Sequence, residues 1–143
     1  MVKIKSNNPK LTLVDLENFE KENFIAFPNE YKYFLHEYNG GHPDKSLFKI
    51  KSNFEEYENV LNVFYGIGTK YAKLENIINY LDELIEIGFL PIANDPGGNQ
   101  ICIGISNEFY QKIYFWDHET EIKLENLQFV SDSFLEFLND LTE

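Results

Sequence analysis

Residues 94–104 read NDPGGNQICIG, so an acid, a proline, two glycines and an amide stand directly before an apolar run. Asp95 and Asn99 offer side-chain oxygens, and Gly97 and Gly98 leave the backbone free to wrap an ion or a phosphate. A phosphate loop gathers backbone amides at a helix N-terminus and usually adds a lysine. Here a strand pattern follows, and the stretch has no lysine. A calcium loop needs about six to eight oxygens at regular spacing, closed by a bidentate acid. Asp95 and Asn99 supply two such side chains. What remains is a tight turn between strands. Pro96 fixes φ, Gly97-Gly98 permits positive φ, and Asp95 and Asn99 can hydrogen-bond the backbone within the turn.

The second candidate is YFWDHETEI, residues 114–122. Asp117, His118, Glu119 and Glu121 could be drawn as a metal cluster or an acid–base pair. Zinc takes three or four ligands in a fixed geometry. The other histidines, His36 and His42, lie far back in the chain, and there is no HExxH pattern. The spacing fits a wet acidic loop at a strand end. Ser106, Ser131 and Ser133 lack the strand–turn–helix context of an activated serine. Cys102, the one cysteine, sits inside the alternating run QICIGIS and reads as buried filler. No catalytic, cofactor or metal site is expected, so the chain reads as a non-enzyme.

Charge narrows the function further. The 143 residues carry 24 acids against 12 lysines and no arginine, a net charge of −12. Residues 1–51 are nearly balanced, and the excess of acid lies in 52–143. Nucleic-acid binding wants a basic footprint, so a nucleic-acid partner is not expected. An acidic face instead attracts cationic proteins and speeds their encounter. The N-terminal MVKIKSNNPK has no apolar run behind its lysines. No apolar stretch approaches the length needed to cross a bilayer. No membrane partner is expected, and the location expected is the cytoplasm.

The elements that must carry these residues are legible in outline. TLVDLENFEKEN reads as a helix capped by Thr12 with Asp15 three residues on, and Leu13, Leu16 and Phe19 as its inner face. FPNEYKYFLHEYNGG reads as a second helix, with Pro28 at its first position and Asn39-Gly40-Gly41 as its stop. Tyr31, Phe34, Leu35 and Tyr38 form its apolar stripe. SLFKI and ENVLNVFYGI read as strands joined by an irregular KSNFEEYE. YAKLENIINYLDELIEIG keeps a helical period to Gly88. FLPIAND, QICIGIS and KIYFW are strands, with Ile101, Ile103 and Ile105 on one face and Cys102 and Gly104 on the other. In KIYFW, Ile113 and Phe115 oppose Tyr114 and Trp116. NLQFV reads as an edge strand, and SDSFLEFLNDLT as a closing helix capped at Ser133. The expectation is one α+β domain over 1–143, a mostly antiparallel sheet packed with about four helices. Tyr65, Phe109, Tyr110 and Trp116 serve either as core or as interface anchors.

Taken together, FPNEYKYFLHEYNGG, FLPIANDPGGNQICIGIS followed by KIYFWDHE, and FVSDSFLEFLNDL resemble the SUKH superfamily. The likeness runs from about residue 12 to residue 141. Its signature falls on Pro28, Asn39, Gly40, Gly41, Asp95, Gly97, Gly98 and Asn99, which the resemblance implies preserve the fold. Its bacterial members are similar to immunity proteins that bind polymorphic toxins, many of them nucleases. The resemblance therefore implies a cognate toxin C-terminal domain, a basic nuclease, as partner. Asp82, Glu83, Glu86, Trp116, Asp117, Glu119 and Glu121 are the candidate contacts. The alternative is a regulatory protein-interaction module whose partner is no toxin. Neither reading assigns an oligomeric state.

Overall fold

The computed structural model describes residues 2–51 and 55–143. In chain order the elements are β1 (Ile4–Lys5), α1 (Leu13–Asn23), α2 (Asn29–Tyr38), β2 (His42–Pro43), β3 (Leu47–Lys51), β4 (Glu56–Val60), β5 (Val63–Phe64), α3 (Leu74–Tyr80), α4 (Asp82–Glu86), β6 (Phe89–Asn94), β7 (Gln100–Gly104), β8 (Ile113–Trp116), β9 (Leu127–Ser131) and α5 (Phe134–Asp140). Seven strands form one sheet in the order β4-β3-β9-β8-β7-β6-β5. Every pairing in it is antiparallel. β1 and β2 make a separate two-stranded pair. The architecture is α+β, as expected.

Period-2 alternation sorts the central strands into two cores. Ile101, Ile103, Ile113 and Phe115 join a large core with α1, α2, α3 and α5. Cys102 and Trp116 point the other way, into a smaller core with Leu81, Leu84, Phe89 and Leu127. The large core is ring-rich: Phe34 lies 4.9 Å from Phe64 and 5.1 Å from Phe134, centroid to centroid. Such tilted and edge-on contacts add to the area these rings bury.

The helical expectations hold with local corrections. Thr12 and Asp15 form a reciprocal capping box, at 3.0 and 2.9 Å. Leu16 and Phe19 are buried, whereas Leu13 is 56% exposed and belongs to the outer face. Pro28 stands one position outside α2, as its N-cap, and Tyr38 is 43% exposed. Ser133 caps α5 by accepting from the Glu136 amide, and no return bond from the Glu136 side chain accompanies it. The third expected helix is two short ones, broken at Leu81 (φ −117°, ψ 41°). The break has a packing reason: Leu74 and Ile78 of α3 serve the large core, while Leu81 and Leu84 serve the small one.

Three strand expectations also change. ENVLNVFYGI is not one strand: it divides into β4 and β5, which stand at opposite ends of the sheet order. β4 begins at Glu56, inside the stretch expected to be irregular, and the rest of that stretch at 52–54 lies outside the described residues. β9 is not at the edge; it lies between β3 and β8. Lys51 opposite Phe129 is its one register pair with β3 among the described residues. Farther along β3, Leu47 exchanges two backbone hydrogen bonds with Thr142 instead (2.9 and 3.0 Å).

The end of α2 is held by a buried amide. Asn39 takes the left-handed conformation (φ 51°) and is 1% exposed. Its amide nitrogen donates to the carbonyls of Pro9 and Ile67, each at 2.8 Å, and its side-chain oxygen accepts from the Ile67 amide at 2.7 Å. One side chain thus ties the N-terminal segment, α2 and the loop before α3. Gly40 follows at φ 80°, and a Cβ there would sit 2.6 Å from the Tyr65 carbonyl. Glycine is required by both conformation and space.

Replacing Asn39 by Gly keeps the left-handed conformation and deletes only the amide. Urea unfolding is expected to show a loss of about 2–3 kcal/mol, since three partly buried hydrogen bonds are lost together. A loss under about 0.5 kcal/mol would mean that the side chain is dispensable.

Candidate functional site

Asp95 follows the last residue of β6 and is 5% exposed. Its Oδ1 accepts from the amides of Gly97 (3.0 Å) and Asn99 (2.8 Å). Its Oδ2 accepts from the side-chain nitrogens of Asn99 (2.9 Å) and Asn59 (3.0 Å). The backbone closes the same turn, Gly98 N–H to Asp95 carbonyl at 3.2 Å and Asp95 N–H to Asn99 carbonyl at 3.1 Å. Burial pushes the carboxyl pKa up, but the bonds from Asn99, Asn59 and Gly97 outweigh it and hold the group below its ordinary 3.8. Both oxygens are occupied by the protein itself. The stretch turns the chain, as the sequence indicates, with one refinement: Gly98 alone has positive φ (92°).

The turn reaches outward from there. Asn99 Oδ1 accepts from the His118 amide at 3.0 Å and contacts His118 Nδ1. Gln100 donates to the Gly98 carbonyl (3.1 Å) and accepts from the Tyr65 hydroxyl (2.7 Å). Burial raises the Tyr65 phenol to about 12, so it stays a neutral donor. Asn59 and Tyr65 are members of this network that sequence reasoning missed, because they join it from 36 and 35 residues away.

The loop after β8 proves self-contained. Asp117 Oδ1 accepts from the Glu119 amide at 2.9 Å, and the Asp117 carbonyl accepts from Thr120. Trp116, a candidate contact from sequence, is 4% exposed. Its indole lies in the small core and its Nε1 donates to the Glu121 carbonyl at 3.4 Å. It therefore places the acidic loop instead of meeting a partner. Tyr65 is likewise buried, and Tyr110 is 43% exposed. Among the described residues no three His, Cys, Asp or Glu side chains converge to hold a metal. Burial pushes the Cys102 thiol well above its ordinary range. No helix of the described residues is long and apolar enough to cross a membrane.

The two acidic groups sit on elements that pack on the same small core. α4 presents Asp82, Glu83 and Glu86 outward while Leu84 enters the small core. The 117–122 loop packs Ile122 on that same core and leaves Glu119 and Glu121 exposed. Tyr114 lies there too; burial raises its phenol, and Asp132 and Glu108 raise it further. Asp132 and Glu108 thus add two carboxylates near Tyr114, which packs on that core. Glu121 is paired with Lys123 at 3.2 Å, with both groups well exposed, where such pairs contribute little.

A buried, self-satisfied turn beside an acidic face is a scaffold with a surface, and comparison with known proteins agrees on the scaffold. Residues 10–140 match the model of the SMI1 / KNR4 family (SUKH-1). The chain belongs to that family. It is also similar to the SPbeta prophage-derived uncharacterized protein YokK of Bacillus subtilis (strain 168). The two are 28% identical over 131 residues, covering 81% of this chain and 67% of the relative. No solved structure gives a significant match.

Within this SUKH-1 chain Asp95 supplies a pH test. Its stabilising effect is complete above the ordinary carboxylate pKa and disappears as pH falls through the lower folded-state value. In Asp95→Asn, an amide nitrogen would face the donors of Asn59 and Asn99. The variant is expected to lose about 2–3 kcal/mol at pH 7. The gap to wild type should narrow on acidification below about pH 4. A gap constant from pH 7 to pH 2 would contradict the assignment.

Proposed function

We infer that this SUKH-1 protein is an immunity protein that binds a cognate polymorphic toxin, a nuclease, and neutralises it by covering its cationic surface. The observation that carries the reading is the small core shared by α4 and the 117–122 loop, around which Asp82, Glu83, Glu86, Glu119 and Glu121 are exposed. A nuclease must hold phosphates and is typically basic around its active site. An acidic face on a chain of net charge −12 steers such a partner into contact and excludes nucleic acid from the same surface. Action by occlusion requires no catalytic residue, and the polar groups of the Asp95 turn are engaged in holding the fold. The prophage origin of the Bacillus subtilis relative is consistent with genes exchanged between competing cells.

The direct test is calorimetry of the purified protein against the C-terminal domain encoded by the adjacent larger gene. Tight one-to-one binding is expected, with loss of the toxin's activity in the complex. Reversing Asp82, Glu83 and Glu86 to Lys is expected to slow association about tenfold or more at low salt. Binding without any salt or charge dependence would sink the steering mechanism. Absence of binding, with both proteins folded, would favour a regulatory module with another partner.

A further inference from the structure

The surface that best matches an interface core is not the acidic one. Two open clefts, of ≈ 710 and ≈ 540 Å³, meet at Ala72 and Asn94. Nine residues line one and thirteen the other, and none of them is Asp or Glu, in a chain where acids outnumber lysines two to one. Lys5, Lys70 and Lys73 are among them. None of the three makes an ion pair among the described residues. The one contact of this group with a ring is Lys70, whose ammonium lies 5.5 Å from the Tyr71 centroid.

The rest of the lining is amide and aromatic. Asn76 and Asn79 face one cleft from α3, and Asn7 and Asn8 enter the other from the N-terminal segment. Tyr71 and Tyr80 stand at 76% and 82% exposure beside them. Lys73, Asn76 and Tyr80 recur at helical spacing along one stripe, opposite the buried Leu74 and Ile78. The floor is rigid, since it includes Tyr65 and Gln100, which are hydrogen-bonded to each other and tied to the Asp95 turn. Tyrosine gives large contact area with little entropy to lose, and asparagine both donates and accepts. That is the composition of a recognition surface.

We propose that this joined cleft is a second docking site, separate from the acidic face, and that it takes an extended acidic segment of another protein. Carboxylates of the segment meet Lys5, Lys70 and Lys73, its peptide groups meet the asparagine amides, and Tyr71 and Tyr80 cover its side chains. A few carboxylates suffice for the lysines. A continuous polyanion is disfavoured, because it would extend past them onto a chain of net charge −12.

Panning a displayed random 12-residue peptide library against the full chain tests this without any toxin. Recovered peptides are expected to be enriched in Asp, Glu and aromatic residues. Their affinity is expected to fall about tenfold or more in Lys70→Glu/Lys73→Glu. Tyr80→Ala, an exposed position where folding is not at stake, is expected to weaken the same peptides. Cationic consensus sequences, no enrichment, or equal binding to the charge-reversed variant would overturn the proposal. So would tighter binding of a dT12 oligonucleotide than of the recovered peptides, which would make the cleft a nucleic-acid site. Because the acidic face is unchanged in these variants, loss of peptide binding with toxin binding intact separates the two readings.

Discussion

The amide of Asn39 is the constraint on which the functional surfaces rest. It is buried, it holds a conformation that few residues other than glycine accept, and it completes three hydrogen bonds to the backbone of Pro9 and Ile67. Through Ile67 it fixes the loop that carries Lys70 and Tyr71, and through Pro9 it fixes the segment that carries Asn7 and Asn8. The Gly40 and Gly41 that follow bring this junction against β5, with Gly41 and Phe64 exchanging two backbone hydrogen bonds. Without the junction, the two walls of one cleft would have no common reference.

Asp95 plays the corresponding part at the turn between β6 and β7. Its carboxylate gathers β4, the turn into β7 and, through Asn99, the start of the acidic loop at His118. The chain thus uses buried, fully partnered polar groups to hold rigid positions. Charged and aromatic side chains at the rim are left unburdened by structural work.

Much of this was legible in the sequence because local patterns report local physics. The Asp95 turn follows from Pro96, Gly98 and the flanking strands, and the facing of Ile101 against Cys102 follows from alternation alone. The misreadings share one cause: each depended on contacts distant in the chain. The α3–α4 break is invisible to periodicity, since Leu74 through Ile85 keep a helical spacing while two separate cores claim its halves. β9 looks like an edge strand until β3 arrives from about eighty residues earlier to cover it. Trp116 has the composition of an anchor and the environment of a core residue; only the position of Leu127 and α4 decides between them. Tyr71 and Tyr80 show the converse, as aromatics whose exposure no neighbour in sequence announces.

The bond from Asn59 to Asp95 also reports the curvature of the sheet. β4 is the first strand in its order and β6 the sixth, yet the Asn59 amide of β4 donates at 3.0 Å to the carboxylate that follows β6. A flat sheet would hold those strands about 24 Å apart, at roughly 4.8 Å per neighbour. The sheet therefore curls until its ends approach, and one carboxylate is shared between them.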